Sequence, residues 1–166
     1  MTDRLSLYNG ALTVHLGQPP LSALTDDESV RYALDNVWDR GALKTCLQKG
    51  QWNFAARSQR LEYDPSVTPD FGYQYAFAKP TDIVRLMGLC SDEYFEAPLR
   101  MYQEESGYWF TDLQQIYVRY VSNDASYGLD YSLWPENFTR FVEAFLADQI
   151  ANLSTFSDKK TDTAAA

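Results

Sequence analysis

Apolar residues in the first third of the chain recur at helical spacing. The first stripe consists of Leu5, Tyr8, Leu12 and Leu16. This pattern predicts a helix capped by Asp3 and ended by Gly17, because a glycine followed by two prolines does not continue a helix.

A second helix is predicted to begin at Thr25, whose hydroxyl can cap it while the carboxylates of residues 26–28 occupy the first turn. Gly41 is expected to end or kink this helix. A third, shorter helix is predicted over residues 42–48, with Gly50 as its stop.

The middle of the chain changes to a period of two, which is typical of strands. Leu61 and Tyr63 predict a short strand, the alternation of residues 73–78 predicts a second, and the apolar run 83–90 predicts a buried third. The runs 108–110 and 116–121 are joined by a short segment, which predicts a hairpin. In its second strand, Ile116, Val118 and Tyr120 share one face.

The last helix is predicted to start at Pro135, since proline is favoured at the first helical position. Its apolar stripe is the clearest amphipathic pattern in the chain and consists of Phe138, Phe141, Val142, Phe145, Leu146 and Ile150. Residues 154–166 are almost entirely polar or alanine, so alone they are expected to be flexible and to order only on a partner.

Composition and charge narrow the function classes. The chain has 166 residues, is 45% hydrophobic and 15% aromatic, and carries a formal net charge of −9. An acidic chain with scattered basic residues does not suit specific nucleic-acid binding. The many rings fit either an aromatic core or contacts with neighbouring subunits.

The residue types give little support for a metal site or a membrane-spanning segment. Cys46, Cys90 and His15 are too few for a zinc site of about four ligands, and no metal or cofactor is expected. Both cysteines are expected to be buried thiols of a protein made in the cytoplasm. No signal peptide and no membrane span are expected.

Candidate catalytic residues have structural explanations beside the chemical ones. Residues 26–28 and the pair Glu104–Glu105 could act as paired carboxylates, but the first group also suits a helix start. His15 is expected to be a partly buried, hydrogen-bonded side chain. Trp52, Trp109 and Trp134 could stack on sugars or bases, although core or subunit contacts are favoured. No catalytic residue is assigned.

Several segments make the chain resemble the tail tubular protein A family, the head-to-tail adaptors (connectors) of short-tailed bacteriophages. The resemblance extends from about Leu7 to about Leu153 in matching order and spacing. It departs at the C-terminus, where the family continues with helical sequence and this chain has a short polar end. The segments are LYNGAL (7–12), LTDDESVRYALDNVWDRGALKTCLQKGQWNFA (24–55), DPSVTPDFGYQYAFAKPTDIVRL (64–86), CSDEYFEAPL (90–99), IYVRYVSNDASYG (116–128) and LWPENFTRFVEAFLADQIA (133–151).

The resemblance implies an α+β protein that is mainly a helical bundle, with an inserted β-hairpin or small antiparallel sheet and an extended C-terminal tail. Residues 1–153 would be a single adaptor domain, and residues 154–166 a flexible tail that orders on the portal. It also implies a virion structural protein at the head–tail junction, assembled in the host cytoplasm, and no cofactor.

The implied partners are other copies in a ring of about twelve, the portal protein and the tail tube or nozzle protein. Genomic DNA would pass through the lumen without specific binding. Candidate subunit or portal contacts are Trp109, Tyr117, Trp134, Phe156, Ala164, Ala165 and Ala166. The alternatives are a virion-associated glycan-degrading enzyme and a receptor-binding or tail-tube module; the latter would be longer, rich in β structure and repetitive.

Overall fold

The computed structural model describes residues 1–165, with side chains described for residues 1–152. The chain divides into two compact units. The first combines Met1–Lys49 with the chain from Asp130 onward, and the second is Gly50–Leu129. The single domain over residues 1–153 and the flexible segment 154–166 stay predictions.

The prediction of a mainly helical bundle is wrong. The protein is α+β, 35% helical and 23% strand, with four α-helices and two three-stranded antiparallel sheets among residues 1–165. The reason is that the period-two segments pair with one another and bury their apolar faces together, so residues 50–129 form a β unit with its own core.

The first unit is helical. Its elements are α1 (Arg4–Gly10), continued by a π-helical turn (Ala11–His15), α2 (Ser29–Asp39), α3 (Ala42–Gln48), a 3₁₀ turn (Tyr131–Leu133) and α4 (Glu136–Ala165). The bounds of α3 confirm the prediction, and α4 begins one residue after Pro135.

A side-chain cap explains the start of α1 but not that of α2. Asp3 caps α1 as predicted, in a reciprocal capping box with Ser6. Thr25 does not cap α2: the residue before α2 is Glu28, which makes no side-chain capping bond. Asp26 instead accepts a hydrogen bond from the Ser22 N–H at 2.7 Å, which holds the preceding loop. Gly41, at φ +90°, separates α2 from α3, as glycine readily does.

The core of the first unit lies along one face of α4. Phe138, Val142, Leu146 and Ile150 are buried, and α4 contacts α1, α2 and α3. The predicted apolar stripe therefore forms the centre of this unit, since it alone reaches all three shorter helices.

The second unit contains six strands. They are β1 (Ala56–Glu62), β2 (Tyr75–Ala78), β3 (Ile83–Cys90), β4 (Gln103–Glu105), β5 (Tyr108–Thr111) and β6 (Gln115–Ser122), preceded by a 3₁₀ turn (Asn53–Ala55). One sheet has the order β1-β6-β3 and the other β2-β5-β4, with all pairs antiparallel.

The predicted hairpin between residues 108–110 and 116–121 does not form. Strand β5 pairs with β2 and β4, whereas β6 pairs with β1 and β3. The connecting segment therefore passes from one sheet to the other. The hairpin that does form joins β4 to β5 through Ser106 and Gly107, whose φ values of +52° and +82° are those of the tight turns that connect antiparallel strands.

The two sheets of this unit share one apolar core. Ile116, Val118 and Tyr120 of β6 pack with Phe77 of β2 and Trp109 of β5. The prediction that the three β6 residues share a face is confirmed. Their common orientation follows from the period of two, because alternate residues of a strand point to the same side.

Candidate functional site

The first unit contains a polar network centred on Asp35 of α2. Its Oδ1 accepts hydrogen bonds from Arg4 Nη2 at 2.8 Å and from the Tyr8 hydroxyl at 2.7 Å. Its Oδ2 accepts from Arg31 Nη1 at 3.0 Å. The Arg4 guanidinium also lies 5.0 Å from the Trp38 ring centroid. The network ties α1 to α2.

Electrostatics within this network agree with a structural role. Burial by itself would raise the pKa of Asp35, but hydrogen bonds from Tyr8 and Arg31 and the charge of Arg4 lower the pKa below its ordinary value. Burial and the bond to Asp35 raise the pKa of Tyr8. Asp35 is therefore ionised and Tyr8 neutral near neutrality, and neither is poised to exchange a proton there.

The second unit contains a comparable network centred on Asp82, in the turn before β3. Asp82 Oδ2 accepts from Arg57 Nη1 at 2.9 Å and from Ser122 Oγ at 2.5 Å. Its Oδ1 accepts from the Tyr120 hydroxyl at 2.9 Å. With its amide oxygen turned to Arg57, Gln59 accepts from Nε at 2.9 Å. One carboxylate thus links β1, β6 and the start of β3.

The pKa of Asp82 shows that its charge is compensated. Burial acts to raise the pKa of Asp82, and the bonds from Ser122, Arg57 and Tyr120 outweigh burial and lower it. Ser122 is fully buried. A hydroxyl that donates to a carboxylate and is closed to solvent is not placed to attack a substrate.

The predicted carboxylate pair Glu104–Glu105 does not converge. Both lie on β4, where neighbouring side chains point to opposite faces. Glu104 forms an ion pair with Lys79. The Lys79 ammonium also lies 5.4 Å from the Trp109 ring centroid. The two carboxylates therefore do not face one scissile bond.

Two further catalytic candidates lie on the surface. His15 is exposed in the last turn of the π-helix, so the expectation of a partly buried histidine is wrong. Asp27 accepts a hydrogen bond from the Tyr32 hydroxyl at 2.8 Å. Neither is assembled with a nucleophile in the described chain.

The predicted interface residues differ in how much of each side chain is exposed. Trp109 and Trp134 are only 1% and 9% exposed; they pack inside their own units. Trp52 and Tyr117 are half-buried. Tyr117 lies on the face of β6 opposite the core, so it offers more area to a neighbour than either buried tryptophan. Their place at an interface stays a prediction.

The remaining predicted contacts fall at the C-terminal end. The side chains of Phe156, Ala164 and Ala165 lie outside the described residues, and so does all of Ala166. The proposed contact of this segment with a portal is not addressed by the structure.

A cleft of about 610 Å³ lies between α2, α3 and α4 in the first unit. Val37, Ala42 and Phe145 contribute apolar surface to it. Its polar lining consists of Asn36, Arg40, Thr45, Gln149 and Asn152. Amides beside apolar surface suit a peptide-like ligand. The sequence pattern missed this cleft, because its residues come from three helices.

The described part of the chain shows neither a metal centre nor a membrane-spanning helix. No group of three or more His, Cys, Asp or Glu residues there is arranged to hold a metal ion. Among the described helices, none combines the length and apolar character needed to cross a membrane.

Sequence reasoning missed the central carboxylates Asp35 and Asp82. Their partners lie far along the chain: Tyr8 is 27 positions from Asp35, and Ser122 is 40 positions from Asp82. No local spacing signals such a pair. The one available cue was an acidic residue inside an otherwise amphipathic helix, as Asp35 is in α2.

Comparison with known proteins does not identify the class of protein to which the chain belongs. No protein-family model matches the sequence, and no curated protein matches it either.

Proposed function

We propose that the chain is a head-to-tail adaptor of a short-tailed bacteriophage. Copies form a ring of about twelve beneath the portal, in a repeated head-to-tail contact that closes. The ring extends the DNA channel and offers a platform to the tail tube or nozzle protein. Its place is the virion, at the head–tail junction.

The proposal rests on the resemblance: segments from about Leu7 to about Leu153 resemble the adaptor family in order and spacing. The C-terminal end, where the chain departs from the family, bears least on the proposal.

An aromatic surface on the second unit supports an assembly role. Phe71 is 41% exposed, and its ring lies 5.0 Å from Phe110 and 5.9 Å from Tyr73. Tyr108 adds a fourth ring 6.1 Å from Phe110. These residues lie on the face of the β2-β5-β4 sheet that points away from Trp109. Phe110 is only 7% exposed, so Phe71 is the ring that this cluster presents to solvent, and exposed aromatic rings are typical of interface cores.

The charge of the chain suits a DNA conduit. With −9 per copy, a ring of about twelve copies carries on the order of −100 charges. Acidic groups on the lumen would repel the phosphate backbone, so DNA would slide along the wall instead of adhering.

Imaging of the purified protein, alone and mixed with the portal of the same phage, tests the proposal. The expected result is a closed collar of copies on the portal. Deleting residues 154–166 should leave a folded chain that no longer joins the portal. A chain that stays monomeric both alone and in the presence of the portal would overturn the proposal.

A glycan-hydrolysis assay tests the alternative that the protein is an enzyme. We expect no hydrolysis by the purified protein. Activity that is lost in Glu104→Gln or Glu105→Gln would instead favour the virion-associated glycan-degrading enzyme.

A further inference from the structure

Three arginines form a diagonal on the outer face of the β1-β6-β3 sheet. Ser58 and Gly88 lie opposite Arg119 in the register, Tyr117 lies opposite Arg60, and Val121 lies opposite Arg85. Paired residues share a face, so the three arginines lie on the same side of three strands. Diagonal neighbours in a sheet are about 7–8 Å apart. We call Arg60, Arg85 and Arg119 the arginine diagonal.

The central member of the arginine diagonal is held in place. Arg119 Nε donates to Ser58 Oγ at 3.0 Å, and its guanidinium lies 4.3 Å from the Phe95 ring centroid. Arg119 forms no ion pair within the described chain. An exposed, oriented guanidinium without a carboxylate is unusual in a chain that carries 23 acidic residues.

The loop that carries Phe95 contains a strained backbone conformation. Phe95 has φ +58°, a strained conformation that bulky residues rarely adopt. Asp92 stabilises the loop by accepting hydrogen bonds from the Glu96 and Ala97 N–H groups. The Asp92 carboxylate is therefore engaged by backbone, and the strained loop places an aromatic ring on Arg119.

The β4–β5 hairpin carries the complementary charge. All three residues of β4 are exposed, and β4 is an edge strand. Glu104 pairs with Lys79, whereas the side chain of Glu105, beside the turn, has no hydrogen bond or ion pair in the described chain. An open strand edge with a free carboxylate is a ready contact for another chain.

We propose that the arginine diagonal receives the β4–β5 hairpin of a second copy of the chain, with Glu105 facing Arg119 and Arg60. This contact rests on the proposed ring. The two surfaces belong to different sheets of the same unit, and no described ion pair joins Arg60 or Arg119 to Glu104 or Glu105. Arg60 forms an exposed ion pair with Glu62 at 3.3 Å, so Arg119 is the principal partner offered to Glu105. Each copy thus offers one basic and one acidic surface, which is what a closing head-to-tail contact requires.

Carboxylates of another copy fit the arginine diagonal better than phosphates do. The net charge of −9 repels a nucleic-acid backbone at long range. A second copy instead presents Glu105 at the end of a two-stranded hairpin, and arginine binds carboxylates with two parallel hydrogen bonds.

Charge exchange tests the contact on the full-length protein. Arg119→Glu, Arg60→Glu and Glu105→Lys should each weaken ring formation by about tenfold or more, measured by sedimentation velocity over a concentration series. Arg119→Glu combined with Glu105→Lys should restore assembly to within a few-fold of the wild type. Lys44→Glu, at an exposed cation on α3 of the helical unit, is the control and should assemble normally.

The outcomes separate this contact from the ring itself. Circular dichroism checks that each variant is folded, and Arg60→Glu keeps the test valid if Arg119→Glu disturbs the Phe95 loop. Wild-type rings that persist in all single variants would overturn the contact and leave the proposed function standing. So would variants that assemble normally but lose binding to double-stranded DNA. Absence of any wild-type ring with the portal would overturn both.

Discussion

The Tyr120 hydroxyl donates to the Asp82 carboxylate across 2.9 Å, which ties the central strand of a sheet to the turn that starts its neighbour. The same carboxylate accepts from Arg57 on the opposite edge strand. One side chain at the start of β3 therefore bonds to both other strands of this sheet.

Replacing this carboxylate should destabilise the second unit. We expect Asp82→Asn to lower the free energy of unfolding by about 2–3 kcal/mol, because hydrogen bonds to a charged group are lost and Arg57 keeps an uncompensated charge. Urea unfolding measures the change. Asp70→Asn, at an exposed loop aspartate, is the control and should change stability by less than about 0.5 kcal/mol. Equal effects of the two substitutions would contradict the role given to Asp82.

Acid should weaken the helical unit through Asp35. The folded-state pKa of Asp35 lies below its ordinary value of 3.8, so its stabilising contribution is present above that value and is lost as the pH falls through the lower folded-state pKa. The difference in unfolding free energy between wild type and Asp35→Asn should thus be constant near neutrality and shrink below about pH 4. Denaturant unfolding at several pH values measures it. A difference that grows in acid would show that the sign is wrong.

Glu143 should have the opposite pH dependence. Burial raises the pKa of Glu143, only partly offset by the charges of His15 and Arg140, and its carboxylate packs directly against Gly10. The protonated form is favoured in the folded state, so this contribution is present below the ordinary pKa of 4.5 and is lost as the pH rises through the raised pKa.

We therefore expect Glu143→Gln to stabilise the protein at neutral pH by less than about 1 kcal/mol, with the gain vanishing near pH 4. Thermal unfolding at the two pH values checks this. Asp148→Asn, at an exposed position of the same helix, serves as the control. A loss of stability at neutral pH would mean that the Glu143 charge is favourable where it lies.

The turn of the β4–β5 hairpin permits a paired test. Ser106 and Gly107 both have positive φ, which glycine adopts without strain. Ser106→Gly should raise stability slightly, whereas Gly107→Ala should lower it by about 1–2 kcal/mol. Gly72→Ala, where a Cβ meets no atom within 4 Å, is the control. If Ser106→Gly and Gly107→Ala changed the free energy of unfolding in the same direction, the turn geometry would be contradicted.

Local patterns predicted the elements better than their pairing. The bounds of α3 follow from nearby glycines and those of β3 from an apolar run, so local sequence determined them. The prediction of a hairpin between β5 and β6 was wrong, because a short linker is equally compatible with a chain that passes from one sheet to the other. Which strands pair depends on the shared core of Phe77, Trp109 and Ile116, and that burial is not visible in either strand alone.

The candidate surfaces were harder to predict for the same reason. Arg60, Arg85 and Arg119 lie on three strands far apart in sequence, and only the sheet register places them on one face. The Phe95 backbone also gave no signal, since its neighbours Asp92 and Glu96 look like an ordinary acidic loop.

The strand order β1-β6-β3 has a consequence for biosynthesis. The strand in the middle is translated last, and α4, which completes the helical unit, leaves the ribosome later still. The helical unit cannot complete its core until most of α4 has been made, so products terminated before α4 keep the apolar faces of α1, α2 and α3 exposed and are open to proteases.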